Sequence, residues 1–225
     1  MSRFSSYLPF VAAMTLVVVA SNVLVQFPVS GEVGGLQLAD ILTWGAFTYP
    51  FAFLVTDLAN RRYGPSVARR IVLVGFMLAV ICSILVPPLL FKYGFIEFET
   101  AADRLVRIAV ASGAAFLTAQ LLDVTVFNWL RRLSWWRAPV FGSLAGSVFD
   151  TAIFFGVAFA AAFSFVGPSD SFALENAPLL GFLSVETARW ISWAAGDLAV
   201  KLLIAVFALI PYRLIAAKWA QPVLA

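Results

Sequence analysis

Three ionisable residues lie deep inside long apolar stretches of this sequence, where they could bind a polar ligand. Asp150 follows Ala138 by twelve residues, which places it about 18 Å along a helix and close to the middle of a bilayer. Asp197 and Lys201 are four residues apart, so they are neighbours on one helix face and can neutralise each other. A carboxylate in hydrocarbon costs at least about 2.5 kcal/mol. Because Asp150 has no such local partner, it is the best candidate for a functional buried carboxylate.

Further polar and aromatic residues in the same stretches suit a small, flat, polar ligand. They include Asn22, Gln26, Trp44, Phe47 and Trp193. Aromatic rings offer stacking faces, whereas amides and carboxylates offer hydrogen-bonding partners. A guanine-like edge presents two adjacent N–H donors, which one carboxylate accepts together at roughly 1.5–3 kcal/mol per charge-assisted bond. A site of this kind strongly rejects analogues that lack those donors.

Three other polar residues are secondary candidates for ligand binding. Asp57 lies one turn before Arg61, so an interfacial ion pair is the alternative to a functional role. Asp123 and Asn128 approach the end of their apolar stretch, where contact with the basic loop that follows is the alternative.

The composition argues against several other chemistries. Histidine is absent, which removes the commonest metal ligand and proton shuttle, and Cys82 is the single cysteine. The sequence has no Walker A motif and no Gly-x-Gly-x-x-Gly motif. Two carboxylates could form an intramembrane protease dyad, but neither lies in a recognisable catalytic motif. We therefore predict no enzymatic activity, no catalytic residue, no metal and no cofactor.

The elements that must position these residues are transmembrane helices. Hydrophobic residues make up 62% of the chain and charged residues only 12%, which leaves too little polar surface for a soluble core. Six apolar stretches are long enough to cross about 30 Å of hydrocarbon: residues 8–29, 38–58, 71–91, 105–130, 138–166 and 188–212. The predicted fold is all-α, a polytopic membrane protein whose bundle of six transmembrane helices forms a single domain over residues 1–225.

Charges in the loops predict the orientation of this bundle. One side carries most of the basic residues, namely Arg3, Arg61, Arg62, Arg69, Arg70, Arg131, Arg132, Arg137, Arg213 and Lys218. The other side carries mostly acidic residues, namely Glu32, Glu97, Glu99, Asp103, Asp170, Glu175 and Glu186. Cytoplasmic loops are enriched in Lys and Arg, so both termini are predicted to be cytoplasmic. This explanation of the basic residues is preferred to nucleic-acid binding.

Two local patterns predict details of the bundle. Pro87 and Pro88 should end or kink the third span, because proline lacks an amide donor and clashes with the preceding turn. Gly142 and Gly146 form a small-xxx-small pattern in the fifth span, which allows close helix contact. Packing within the bundle is the favoured interpretation of this pattern, and a homodimer is the alternative.

Segments along nearly the whole chain resemble the queuosine precursor transporters, a bacterial vitamin-uptake-type family. They occur in order as ASNVLVQFP at 20–28, TWGAFTYPF at 43–51, TDL at 56–58, YGP at 63–65 with ARR at 68–70, LDV at 122–124 with VFN at 126–128, GSVFDT at 146–151, and GD at 196–197 with Lys201. The resemblance implies a six-helix importer in the bacterial inner membrane, with 7-cyano- and 7-aminomethyl-7-deazaguanine as substrates salvaged for tRNA modification. The alternative is a substrate-binding subunit of an energy-coupling-factor vitamin transporter, which needs a separate ATPase module.

The resemblance also suggests roles for the candidate residues. We expect Asn22 and Gln26 to read the heterocycle, Asp150 and Asp197 to accept its N–H donors, and one or more of Trp44, Phe47 and Trp193 to stack on it. Lys201 would keep Asp197 ionised, because a nearby cation favours the charged carboxylate. The ligand would occupy an enclosed, ligand-sized hollow beside Asp150. The expected partners are this small molecule and the lipid bilayer, with no nucleic acid.

Overall fold

The computed structural model describes residues 6–97 and 99–219 of the chain, so Arg3 and the last six residues lie outside the description. The described part is mostly helical. Its α-helices are α1 (Leu8–Leu24), α2 (Gly45–Thr48), α3 (Phe51–Tyr63), α4 (Pro65–Lys92), α5 (Ala102–Leu130), α6 (Arg137–Phe159), α7 (Ser171–Leu174), α8 (Arg189–Phe207) and α9 (Leu209–Ala217). Two small antiparallel hairpins pair β1 (Glu32–Val33) with β2 (Leu36–Gln37), and β3 (Asn176–Pro178) with β4 (Glu186–Ala188).

Four helical segments are long and apolar enough to cross a membrane. These are α4, α5, α6 and the continuous pair α8–α9 over Arg189–Ala217. Helix α1 is apolar but has 17 residues, so it spans about 26 Å, slightly less than the hydrocarbon core. The predicted class, a helical protein with several membrane-spanning segments, is therefore confirmed.

The second predicted span, residues 38–58, is not one continuous helix. Residues Leu38–Asp40 form a 3-10 turn, α2 has four residues, and α3 begins after Pro50. Proline cannot donate a backbone hydrogen bond, so the α-helical ladder is interrupted at this point. Tyr49 and Pro50 keep helical dihedral angles, and α3 therefore continues the path of α2 after a local break.

Other predicted boundaries change at prolines and in the loops. The first stretch becomes helical only to Leu24, after which Pro28 forms a β-bridge with Thr43. The fifth predicted stretch, residues 138–166, is helical as α6 only up to Phe159. Pro87 and Pro88 do not end the third span, since α4 runs on to Lys92, and the kink that was the other expected effect stays a prediction. Proline is tolerated inside membrane helices because neighbouring groups satisfy the freed backbone atoms.

The Gly142–Gly146 pattern packs inside the bundle, as predicted. A Cβ added to Gly142 would lie 2.4 Å from Oδ1 of Asp123 in α5, and one added to Gly146 would lie 2.5 Å from the Phe53 ring of α3. Glycine at these positions thus lets α6 approach its neighbours closely.

The structure brings the basic loops together at one end of the bundle and the acidic loops together at the other. At the basic end, the Arg61 guanidinium donates to the Arg131 carbonyl at 2.9 Å. At the acidic end, Arg104 forms an ion pair with Asp170. We call these the basic end and the acidic end below.

Candidate functional site

Five polar side chains from α6, α8 and the α2–α3 break form a buried group that we call the charged cluster: Tyr49, Asp150, Thr151, Asp197 and Lys201. The Lys201 ammonium contacts Asp150 Oδ2 at 2.6 Å and Asp197 Oδ2 at 2.5 Å. It also donates to the Thr151 hydroxyl at 3.2 Å. The predicted neighbouring pair of Asp197 and Lys201 is therefore present, but Lys201 bridges two carboxylates rather than one.

Asp150 has no local partner, as its sequence surroundings indicated, but residues distant in sequence pair with it. Lys201 reaches it from α8, and the Tyr49 hydroxyl donates to Oδ1 of Asp150 at 3.0 Å. The Thr151 hydroxyl donates to Asp197 Oδ2 at 2.8 Å. These partners come from other helices, so no spacing along one helix could reveal them. With all three charged groups ionised, the cluster carries a net charge of −1.

Tyr49 is the main residue of this cluster that the sequence prediction missed. The break before Pro50 places its side chain between α3, α5 and α6, where its ring packs edge-on against Phe53 and Phe116, with centroids 6.4 Å and 6.0 Å apart. The Lys201 ammonium lies 5.3 Å from the centre of the Tyr49 ring, within cation–π range. A Tyr-Pro pair in an apolar stretch is the signal that could have identified it, since a buried tyrosine hydroxyl usually requires a partner.

Trp193 lies next to the charged cluster on its acidic-end side. It is one turn from Asp197 on α8, and its ring contacts Phe159 and Phe172 at centroid distances of 5.3 Å and 6.2 Å. Its indole N–H donates to the Asp40 carbonyl at 2.8 Å. Trp193, Phe159 and Phe172 therefore form a group of contacting rings, which we call the aromatic layer, on the acidic-end side of the cluster.

Within the described residues, no hydrogen bond or ring contact joins the remaining primary candidates to the charged cluster. Asn22 donates to the Val18 carbonyl of its own helix and accepts from Ser83 of α4 at 3.2 Å. Gln26 is half-buried in the turn after α1. Within the described part of the chain, neither amide is hydrogen-bonded to the cluster. The rings of Trp44, just before α2, and Phe47 in α2 contact each other with centroids 5.8 Å apart, and Trp44 is 48% exposed.

Two of the secondary candidates, Asp57 and Asp123, form a second buried group that we call the carboxyl pair. They are 2% and 0% exposed, and their carboxyl groups are neighbours in the bundle interior. The expected ion pair between Asp57 and Arg61 does not form, because the Arg61 guanidinium instead bonds to the Arg131 carbonyl. Asn128 is exposed beside Arg131 at the basic end and belongs to neither group.

A small cavity connects the surroundings of the two groups. Its lining includes Asp57, Ser143, Ser147, Lys201 and Tyr212. Its volume is about 10 Å³, which holds about one water molecule and cannot hold a purine. This cavity is therefore not the ligand-sized hollow expected beside Asp150, and the helices would have to separate to admit a ligand there.

The arrangement can bind a polar planar molecule only by exchanging internal bonds for ligand bonds. Both carboxylates of the charged cluster are acceptors already occupied by Lys201, Tyr49 and Thr151. An unpaired buried charge is costly, so each internal bond that is broken must be replaced by a bond to the ligand. A ligand with several N–H donors could supply these bonds and leave no buried carboxylate unpaired.

Known proteins are similar in sequence to this chain over half of its length or more. The family model described as putative vitamin uptake transporter matches residues 43–215. A probable queuosine precursor transporter of Haemophilus influenzae is 40% identical over 177 residues, covering 74% of this chain and 73% of that protein. The queuosine precursor transporter of Escherichia coli is 42% identical over 148 residues, 64% of each chain. A probable queuosine precursor transporter of Bacillus subtilis is 38% identical over 130 residues, covering 52% of this chain and 56% of that protein.

No solved structure matches the chain. The family match covers all five residues of the charged cluster and both residues of the carboxyl pair. The resemblance found in the sequence motifs is thus confirmed, and the chain belongs to the family of queuosine precursor transporters, which the family model describes as putative vitamin uptake transporters.

Proposed function

We propose that this protein imports queuosine precursors, the 7-cyano- and 7-aminomethyl-7-deazaguanines, across the bacterial inner membrane. The observation that carries the proposal is the charged cluster, buried within membrane helices of a chain whose relatives are named queuosine precursor transporters. Ionisable groups at this depth are expensive, and in membrane proteins they mark substrate or ion pathways.

We further propose that the chain crosses the membrane six times with both termini in the cytoplasm. The crossings are α1, the broken segment α2–α3, α4, α5, α6 and the pair α8–α9. The basic loops gather at one end of the bundle. Because Arg-rich loops usually face the cytoplasm, this clustering supports a cytoplasmic location of the basic end. Broken helices are tolerated at membrane depth when they are buried in protein or line a cavity, and α2–α3 packs against α1, α5 and α8.

In the proposed mechanism, substrate enters from the acidic end and reaches the charged cluster past Trp193. Asp150 and Asp197 accept the N–H donors of the heterocycle, and Trp193 stacks on its face. Lys201 stays between the two carboxylates as their counter-ion, so that no buried charge is unpaired. The 7-aminomethyl substrate carries a positive charge that complements the net −1 of the cluster.

The closed arrangement must open for this binding to occur. The aromatic layer around Trp193 lies on the proposed route from the acidic end, and the cavity toward the basic end holds only about one water molecule. Asn22 lies in the last turn of α1, and Gln26, Trp44 and Phe47 follow it before α3, so all four belong to the segment from Asn22 to the start of α3. We propose that this segment moves toward α8 around the bound heterocycle, bringing these four residues into contact with it.

Uptake by cells that cannot synthesise the precursor tests the role of Asp150. An Asp150→Asn variant keeps the side-chain shape but loses the charge, so it loses a charge-assisted bond of roughly 1.5–3 kcal/mol to the substrate. We expect uptake at subsaturating substrate to fall by roughly 10- to 100-fold. Asp103→Asn is the matched control, because Asp103 is exposed in the first turn of α5.

The amounts of both variants in the membrane must equal that of the wild type. Full-rate uptake by a normally inserted Asp150→Asn protein would contradict the role proposed for this carboxylate. Equal losses in both variants would show that the effect is not specific to the charged cluster.

A further inference from the structure

The carboxyl pair contains buried acceptors that lack donors. Oδ1 of Asp57 and both carboxylate oxygens of Asp123 are buried without a hydrogen-bond partner among the residues that the structure describes. The Ser143 hydroxyl lies against Asp57, and Gly142 leaves the space that the Asp123 carboxylate occupies. Oδ1 of the neighbouring Asn60 is also buried and unpartnered, while its amide donates to the Val124 carbonyl.

Among the described residues, the neighbouring helices supply no free cation to this pair, and Arg137 at the start of α6 is exposed. On α3 itself, Arg61 is bonded to the Arg131 carbonyl, and the Arg131 guanidinium reaches back to the Arg61 carbonyl at 3.4 Å. Helix α1 contains no charged residue, and the arginines at positions 69 and 70 of α4 are exposed. Lys201 of α8 lines the adjoining cavity but already holds the two carboxylates of the charged cluster. Tyr212 of α9 brings a neutral hydroxyl.

Two ionised carboxylates cannot remain together in this environment. Like charges on neighbouring buried carboxylates repel each other, and burial adds a desolvation cost for each of them. Carboxylates are also acceptors only, so they cannot hydrogen-bond to each other. One shared proton removes the repulsion and supplies the missing donor, as it does in other carboxyl dyads.

A polar stripe on α6 links the carboxyl pair to the charged cluster. Ser143, Ser147 and Thr151 are spaced by four residues and therefore share one face of the helix. Ser143 lies against Asp57, and Thr151 contacts Lys201. Between them, the Ser147 hydroxyl is 1% exposed, has no partner within the described part of the chain, and lines the water-sized cavity.

We propose that Asp57 and Asp123 form a proton-binding site that couples substrate import to the movement of one proton into the cell. The inference rests on the proposed import function. The proton passes from the charged cluster along Ser147 and one water molecule to the carboxyl pair, and it leaves at the basic end. No bond other than O–H or N–H bonds forms or breaks, and the electrons stay in place. The carboxyl pair thus has a role separate from ligand binding.

Transport by the purified full chain in proteoliposomes tests this coupling. Two assays with labelled 7-cyano-7-deazaguanine, which is uncharged, are compared: exchange against unlabelled substrate inside the vesicles, and net accumulation driven by an acidic exterior. One proton per substrate and two pH units permit accumulation of up to about 100-fold. We expect both activities in the wild type. The double variant Asp57→Asn with Asp123→Asn should retain exchange and lose proton-driven accumulation.

The outcomes separate the coupling from the import function. If the wild type shows exchange but no proton-driven accumulation, the proton coupling is wrong and the import function stands. The same conclusion follows if accumulation is driven by a sodium gradient instead. Accumulation that persists in the double variant would also overturn it. Absence of exchange in the wild type would overturn the proposed function and, with it, this inference.

Infrared spectroscopy provides a test that does not depend on transport by the variants. At neutral pH, the wild type should show the C=O stretching band of a protonated, buried carboxyl group. The band should disappear in a single Asp57→Asn or Asp123→Asn variant and persist in the exposed control Asp103→Asn. Absence of this band in the wild type would overturn the proton site.

Discussion

Substitution of Lys201 by methionine is the perturbation for which the structure gives the clearest magnitude. Methionine keeps the approximate length of the side chain but removes an ammonium that contacts Asp150, Asp197 and Thr151 at 2.6, 2.5 and 3.2 Å. Two neighbouring carboxylates then remain buried without a cation. Removing one partner of a buried ion pair typically costs about 3–5 kcal/mol, because the other partner stays desolvated and unpaired.

For a protein of this size, each kcal/mol changes the melting temperature by about 2–4 °C, so we expect Lys201→Met to lower it by about 6–20 °C. The assay is thermal unfolding of the purified protein in detergent, monitored by tryptophan fluorescence. Lys218→Met is the matched control, because Lys218 is exposed at the basic end, and it should stay within about 2 °C of the wild type.

A compensated variant separates charge from packing. Lys201→Met combined with Asp150→Asn and Asp197→Asn leaves no buried charge in the cluster, and it should regain at least half of the lost stability. The reasoning would be refuted if Lys201→Met melted like the wild type. It would also fail if the triple variant were no more stable than the single one, since packing rather than charge would then account for the loss.

Two smaller changes test other parts of the same region. Tyr49→Phe removes only the hydroxyl that donates to Asp150, so the free energy of unfolding should fall by about 1.5–3 kcal/mol in chemical denaturation, and an unchanged value would show that this bond is not formed. Gly142→Ala places a methyl group 2.4 Å from Asp123 Oδ1, so its melting temperature should fall by several degrees. Gly156→Ala in the same helix meets nothing within 4 Å and should be neutral or slightly stabilising; equal effects of both alanines would contradict the packing described for α6.

The membrane class of the fold and part of the candidate site could be predicted from the sequence. Hydrophobic stretches identify membrane helices because every backbone polar group in hydrocarbon must be satisfied within the protein. The pairing of Asp197 with Lys201 was also predictable, since it depends only on helical spacing. By contrast, the break at Pro50 was not predicted, because a single proline hardly changes the apolar character of the stretch around it. The continuous helix of the second predicted span is therefore only the 13 residues of α3.

The unpredicted parts of the site depend on contacts between helices. Lys201 bonds to Asp150 across 51 positions of sequence, and Tyr49 bonds to the same carboxylate across 101 positions. The meeting of Asp57 with Asp123 likewise depends on how α3 packs against α5 and α6. Spacing along the chain suggested Arg61 as the partner of Asp57, but the arginine side chain reaches the Arg131 carbonyl instead.

Ligand-induced stabilisation of the purified protein tests most directly whether the charged cluster binds a 7-deazaguanine. At a free ligand concentration of 100 times Kd, binding to the native state contributes about 2.7 kcal/mol, which corresponds to about 5–11 °C in melting temperature. We predict this shift with 7-aminomethyl-7-deazaguanine in the wild type, a much smaller shift with adenine, and at most about half of the wild-type shift in the Asp150→Asn variant at the same concentration. Equal shifts with both ligands, an undiminished shift in the variant, or no shift in the wild type would contradict the proposed site.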